Sequence, residues 1–244
     1  MMTAVVTGCA GGLGTALCSA FQTSGYQVIG TDRVRGTSSC DTFVEIDLLQ
    51  ACRTSEQLQD AVSLLRSKID RQGLAVLVNN AAIQVVGPTE ELTLEDWQAS
   101  VTVNVTAPLF LTQALLPDLQ RGHGSVVNIG SVHARATKPR FVAYATTKAA
   151  LVGLTRAMAV DLAPHVRVVA VNPGAIDTSM LRAGFADRAE ALNSLAAMQP
   201  LGRIATPEEI SKVVVFLASE SASFATGCAI DVDGGILSRL HDPE

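Results

Sequence analysis

Tyr144 and Lys148 stand four residues apart in FVAYATTKAALVGL, where an apolar-periodic stretch begins. On a helix that spacing puts both side chains on one face. A phenol titrates near pH 10, so a tyrosine that takes a proton from an alcohol at neutral pH needs its pKa lowered by about 2–3 units. A lysine cation one turn away and the positive end of the helix dipole both act in that direction. Ser131 ends SVVNIGS, a candidate strand. Its hydroxyl can donate to a carbonyl oxygen or accept from an alcohol, as a stabiliser of developing negative charge does. Taken singly, the same three residues are equally a half-buried aromatic, a surface charge and a serine capping a loop.

A second constellation lies in TAVVTGCAGGLGTALCSAF, residues 3–21. Gly8, Gly11, Gly12 and Gly14 fall between an apolar run and an apolar-periodic one. Each glycine costs about 0.5–1 kcal/mol relative to alanine in a regular element, so this density indicates a geometry that side chains would obstruct. The expected obstruction is a ligand. At a strand-to-helix turn, Gly8, Gly12 and Gly14 let the backbone approach a pyrophosphate, whose charge the helix N-terminus favours. The spacing GxxxGxG departs from GxGxxG, and a tight turn without a ligand uses similar residues. Asp32 strengthens the nucleotide reading, because it ends the second candidate strand about 20 residues after the glycines, where a carboxylate accepts from ribose hydroxyls and repels a 2′-phosphate. NAD is therefore expected over NADP. Arg33 and Arg35 are the counter-evidence, since either could pair with a phosphate. A bound oxidised nicotinamide would add its positive charge to the forces that lower the Tyr144 pKa.

Short apolar runs alternate with longer helical patterns along the chain, the mark of βαβ units whose parallel sheet is covered on both faces. Strands are predicted at 4–6, 27–31, 43–46, 75–78, 125–129, 167–171 and 229–232. Helices are predicted near 13–24, 54–71, 94–120, 144–163 and 207–218, the last with Thr206 as N-cap and Pro207 as its first residue. The expected fold class is α/β: a Rossmann-like, doubly wound parallel sheet of about seven strands with helices on both faces, whose ligand sits outside the carboxyl ends of the strands. With 244 residues, 48% of them hydrophobic, a single domain over 1–244 is expected. Residues 178–199 are too long for an ordinary connection and read as a substrate lid. Its Met180, Leu181, Phe185, Leu192, Leu195 and Met198 could form an apolar wall or simply pack into the core.

A net charge of −5 argues against nucleic acid or an anionic membrane surface as the main partner. The five scattered cysteines lack CxxC spacing, which favours reduced thiols and a cytoplasmic setting over a disulfide framework or a zinc site; no metal is expected. Neither a basic-then-apolar leader nor a run of about 18 apolar residues occurs, so no signal peptide or membrane span is expected.

Together these residues resemble the classical short-chain dehydrogenase/reductase family over essentially the whole chain. The matching motifs are TGCAGGLG at 7–14, Asp47 in EIDL, NNAA at 79–82, Asn104 in VNV, Ser131, YATTK at 144–148, NPGAIDT at 172–178 and the late DVDGG. The resemblance implies that Asn104, Ser131, Tyr144 and Lys148 are catalytic, with Asn104 holding a water that relays protons from Lys148. It implies that Gly8, Gly12, Leu13, Gly14 and Asp32 bind the dinucleotide, that Asp47 and Leu48 flank its adenine, and that Asn80 and Ala81 line its ribose region. Pro173, Gly174, Ile176 and Thr178 would meet the nicotinamide end together with Tyr144 and Lys148. Where the family usually reads NNAG this chain has Ala82, a change that removes no chemical group. The family forms homotetramers or homodimers through helices corresponding to 94–120 and 144–163, which implies a similar assembly here.

The expected function is reversible, NAD-dependent hydride transfer between the nicotinamide and a secondary alcohol or ketone. One alternative is a 3-oxoacyl thioester reductase using NADPH, against which Asp32 speaks. Another is a non-catalytic nucleotide-binding sensor, which would not need all four of Asn104, Ser131, Tyr144 and Lys148. The substrate is expected to be a small hydroxy or oxo acid, because His133, Arg135, Lys138 and Arg140 form a basic cluster between Ser131 and Tyr144. Gln84 and His133 also resemble positions of 3-hydroxybutyrate dehydrogenases, which have a glutamine just after NNA and a histidine two residues past the serine. Three residues before the tyrosine, where those enzymes place a carboxylate-binding lysine, this chain has Phe141, so the charge partner is expected from Arg140 or Lys138. A solvated loop is the competing reading of the cluster.

Overall fold

Alternation along the strands decides where the core lies. Successive side chains of a strand point to opposite faces, and in β1 (Thr3–Thr7) Ala4 and Val6 join the buried cluster on one side while Val5 joins the other. The computed structural model describes residues 1–185 and 188–240 and divides β2 (Gln27–Asp32), β3 (Thr42–Glu45), β4 (Val76–Asn79), β5 (Ser125–Ile129) and β6 (Arg167–Pro173) in the same way. With β7 (Ala229–Val232) they form one all-parallel sheet in the order β3-β2-β1-β4-β5-β6-β7. The chain reverses its winding between β1 and β4, which opens a crevice at their carboxyl ends.

The helices are α1 (Gly12–Thr23), α2 (Leu48–Ala51), α3 (Ser55–Arg66), α4 (Leu94–Val101), α5 (Ala107–Arg121), α6 (Val142–Leu162), α7 (Ser179–Ala183), α8 (Ala189–Met198) and α9 (Pro207–Ala218). On one face α1 and α9 bury Leu13, Leu17, Phe21, Ile210, Val214 and Leu217. On the other, α3, α5 and α6 bury Val62, Leu65, Leu111, Leu115, Leu119 and Met158. Thr206 caps α9 in a reciprocal box with Glu209, and Pro207 is its first residue, as predicted.

The stretch predicted as one helix over 94–120 is divided. A π-helical turn, Thr102–Thr106, separates α4 from α5 and carries Asn104. Such a turn adds a residue without changing the local composition, so hydrophobic periodicity does not reveal it. The span Leu94–Arg121 contains an 18-residue window with a mean hydropathy of 1.4 and, by length and composition alone, could cross a membrane. Here its Leu111, Leu115 and Leu119 are buried against the sheet. Three short helices, α2, α7 and α8, lie outside the predicted set; α2 begins where the Asp47 carboxylate accepts from the N–H groups of Leu49 and Gln50 at 2.9 and 3.4 Å.

A buried polar chain fixes α6 on the sheet. Asn79 of β4 donates to Asn128 of β5 at 2.8 Å, and Asn128 donates to Thr155 of α6 at 2.9 Å. Hydrogen bonds in such a dry setting hold one register, because any slip leaves a buried donor unpaired.

Candidate active site

β5 and α6 together position the residues singled out for proton chemistry. Ser131 follows β5, is 7% exposed, and accepts from the His133 N–H at 3.2 Å. Tyr144 is the third residue of α6 and Lys148 lies one turn later. Lys148 is 2% exposed, and its ammonium donates to the Ile129 carbonyl at 2.6 Å and lies 5.6 Å from the centre of the Tyr144 ring. All three residues line one cleft of about 680 Å³ that extends along the carboxyl ends of the strands to the glycine-rich turn and Asp32.

The electrostatics differ from the sequence expectation in one respect. Burial pushes the Tyr144 phenol above its ordinary 10, and the neighbouring Ser131 hydroxyl is the influence that opposes this. The sequence assigns the task of bringing the phenol down to Lys148 together with the helix dipole and a bound oxidised nicotinamide. Instead, burial pushes Lys148 itself from 10.5 to about 8, and its ammonium is engaged by the Ile129 carbonyl. Desolvation is the largest influence on both groups. The protein's own groups therefore favour the protonated phenol at Tyr144, with Ser131 acting toward the ionised form.

Asn104 shares the protein interior with this pair. Its Oδ1 accepts from the Ile83 N–H at 2.8 Å, and its Nδ2 donates to the Ile83 carbonyl at 2.9 Å and to Thr147 Oγ1 at 3.0 Å. The side chain thus ties the chain after β4 to α6 between Tyr144 and Lys148. Ile83 and Thr147 carry no signal in the sequence beyond a threonine inside a helix, a residue type that prefers to bond backbone; its hydroxyl donates to the Tyr144 carbonyl at 2.9 Å.

At the other end of the cleft, most of the glycines answer to the protein itself, which corrects the expectation that a ligand is the obstruction. A Cβ on Gly14 would lie 2.0 Å from the Gly8 carbonyl oxygen, and one on Gly8, at φ +67°, would lie 2.8 Å from Ala81 Cα. Asn80 reinforces that second contact by donating to the carbonyls of Thr7 and Gly8 at 2.9 and 3.0 Å. A Cβ on Gly12 would come to 3.1 Å from Thr178. Gly11 is different: it caps α1 with no side chain to accept from the first N–H groups, and it borders the cleft. Asp32 lies beside it, accepting from the Ala10 N–H at 3.1 Å and from the Arg33 N–H at 2.8 Å.

These features fit a dinucleotide. A bare helix N-terminus meets a pyrophosphate, the Asp32 carboxylate retains acceptor capacity for a ribose, and Asp47 and Leu48 border the same end of the cleft. Leu13, Asn80, Ala81, Pro173, Gly174, Ile176 and Thr178 also line it. Arg33 and Met180, singled out in the sequence as a possible phosphate partner and as part of a lid, border it too, as do Ala10, Ile83 and Val103, which carry no sequence signal that marks them as cleft residues.

Gln84, His133 and Arg140 do not line this cleft. The basic cluster is divided by its own contacts. His133 stacks on Phe141 with ring centres 4.7 Å apart and faces the Tyr144 ring edge-on at 5.6 Å; burial and nearby Lys138 push it down to about 4. It is neutral at physiological pH, contrary to its place in a basic cluster. Arg135 pairs with Asp231. Lys138 lies 4.6 Å over the Phe141 ring and 5.7 Å over that of Phe185, and Arg140 takes a left-handed backbone, φ 75°.

A family model described as enoyl-(acyl carrier protein) reductase matches residues 8–237. The chain belongs to the short-chain dehydrogenase/reductase family. Among its relatives, Protein FixR of Bradyrhizobium diazoefficiens is 33% identical over 246 aligned residues, covering 95% of this chain and 85% of the relative. Among solved structures, ligand-free aldohexose dehydrogenase of Thermoplasma acidophilum superposes with a TM-score of 0.92 at 29% identity, covering 100% of this chain and 96% of that one. A putative NAD(P)-dependent gluconate 5-dehydrogenase of Beutenbergia cavernae, with NADP bound, gives 0.87 at 34% identity, covering 98% and 97%. The family's proteins are oxidoreductases that bind a nicotinamide cofactor and act on small molecules.

Proposed function

We propose that this protein is an NAD(H)-dependent dehydrogenase that interconverts a secondary alcohol and its ketone. The observation that carries the reading is one continuous cleft with Asp32 and a bare helix N-terminus at one end and Ser131, Tyr144 and Lys148 at the other. When bound, the nicotinamide supplies the hydride acceptor or donor and, in its oxidised form, a positive charge. Tyr144 exchanges the proton of the substrate oxygen, Ser131 stabilises negative charge developing there, and Lys148 holds a protonated amine beneath both. Asn104 fixes the spacing between the segment after β4 and α6 on which both depend.

Asp32 carries the preference for NAD, through repulsion of a 2′-phosphate. The substrate we favour is a small hydroxy or oxo acid, for which Lys138 and Arg140, outside the cleft lining but without a carboxylate partner among the described residues, unlike Arg135, are the available cations. A structural relative described as a gluconate 5-dehydrogenase supports that class. Reduction of the ketone of a 3-oxoacyl thioester with NADPH is the second reading; the family model's description supports an acyl thioester as substrate and is neutral on the cofactor.

The test compares kcat/KM for NADH and NADPH in wild type and Asp32→Ser, then compares hydroxy acids with their neutral esters and with acyl thioesters. Wild type is expected to prefer NADH and Asp32→Ser to move toward NADPH. Wild-type preference for NADPH would overturn the cofactor reading, and equal activity on an acid and its ester would overturn the substrate reading.

A further inference from the structure

Three of the five cysteines gather beneath the glycine-rich turn, apart from the proton-transferring residues. Cys9 belongs to the turn itself, Cys18 lies on α1, and Cys40 lies in the connection between β2 and β3. Gly30 of β2 reports their proximity: a Cβ placed on it would stand 2.8 Å from the Cys9 sulfur and 2.8 Å from the Cys40 sulfur. The two sulfurs are therefore separated by no more than twice that distance. Cys18 accepts from the Ser38 hydroxyl, on the same connection, at 3.6 Å. Cys9 and Cys18 are fully buried, whereas Cys40 is half-buried, in a connection whose residues 33–37 are exposed.

We propose that Cys40 is a modification site for low-molecular-weight disulfides, and that Cys9 resolves the adduct into a Cys9–Cys40 disulfide that weakens dinucleotide binding. The first exchange forms a bond between the Cys40 sulfur and one sulfur of the incoming disulfide and releases the other half as a thiol, which takes the Cys40 proton. The second forms the Cys9–Cys40 bond and releases the remaining half as a thiol, which takes the Cys9 proton. Two protein thiols are oxidised and one external disulfide is reduced to two thiols. Burial pushes Cys9 up to about 12 and Cys18 to about 11, so both are poor points of entry from solvent. Once Cys40 carries the adduct, the attack by Cys9 is intramolecular and gains from proximity.

Bond formation draws the Cys9 sulfur toward Cys40, and Cys9 is coupled to the cofactor end of the cleft through two contacts. Its N–H donates to the Thr31 carbonyl at 3.2 Å, and the next residue, Ala10, donates to the Asp32 carboxylate at 3.1 Å. Moving Cys9 therefore moves both the turn and the carboxylate. Because coupling is reciprocal, a bound dinucleotide opposes the disulfide to the same degree.

The experiment treats the purified full chain with oxidised glutathione, maps disulfides by peptide mass spectrometry, and measures the Kd of whichever of NADH or NADPH binds more tightly. The expected result is a Cys9–Cys40 disulfide, a rise in Kd of about tenfold or more, and full recovery after dithiothreitol. Cys40→Ser and Cys40→Ala should keep their affinity under oxidation, while Cys52→Ser and Cys228→Ser should respond as wild type does. A stable glutathione adduct on Cys40 with Cys9 still free, a disulfide between other cysteines, or a Cys9–Cys40 bond with unchanged Kd would each overturn the proposal. The wild-type mapping and Kd decide it even if a Cys40 variant folds poorly.

Discussion

Around Tyr144 the polar groups are buried and bonded: Lys148 to Ile129, Asn104 to Ile83 and Thr147, and Asn79 through Asn128 to Thr155. Across the cleft mouth, α7 has no buried residue, and Met180, which borders the cleft, is 50% exposed. The contrast separates two jobs. Proton transfer tolerates little error in position, and the groups proposed for it stand on a strand end and a 21-residue helix locked to the sheet. Contacts to a variable substrate need no such frame, and short exposed helices suit them.

Tyr144→Phe gives the largest expected effect on this contrast. Turnover should fall by about 10²–10⁴-fold, while dinucleotide affinity and Tm stay close to wild type, because the ring and its packing remain. Steady-state kinetics with a fluorescence titration of the cofactor check it; retained turnover would remove the proton-transfer role from the locked side.

Lys148 sharpens the comparison, because the locked side should be functional at a cost in stability. Its proton is held less tightly in the folded chain, at about 8, than in the unfolded one, near 10.5. The unfolded state therefore binds more protons between those values, so stability rises with pH across that window and the cost is fully present below pH 8. Lys148→Met removes the charge and one hydrogen bond, and should stabilise the protein at pH 7 by about 1–3 kcal/mol while turnover collapses. Urea melts at pH 7 and pH 10.5 measure this: the advantage should shrink at the higher pH, and a variant less stable than wild type at pH 7 would show that the buried ammonium is not a net burden.

The smallest effect belongs to the exposed side. Met180→Ala should change Tm negligibly, within about 0.5 kcal/mol of wild-type stability, and alter KM for the substrate more than kcat. A loss of stability comparable to a core truncation would show that α7 belongs to the frame and would erase the distinction.

Much of the locked side is legible in the residue pattern. The strand predicted at 125–129 and the one at 229–232 coincide with β5 and β7, because apolar runs bounded by turn residues have few other uses in an alternating chain. The Tyr144–Lys148 spacing places both on one helix face because a helix imposes that relation locally. The short helices α2 and α7 are not legible, since their few residues carry no period, whereas α8 carries Leu192, Leu195 and Met198 at helical spacing inside the stretch read as a lid. The division of 94–120 is hidden as well, because a π-helical turn is a matter of one extra residue held by Asn104 to Ile83, far away in sequence.

The residue pattern alone carries most of the element types, the parallel sheet and the residues able to move a proton, all of which depend on patterns within a few turns of chain. What those residues experience is set by packing between distant segments. Gly8 and Gly14 face their own backbone, Arg135 is taken by Asp231, and His133 is neutral on Phe141. The sulfurs of Cys9 and Cys40 both lie over Gly30. Contact and burial join segments distant in the chain, and desolvation depends on everything packed around a group, so no local pattern encodes them.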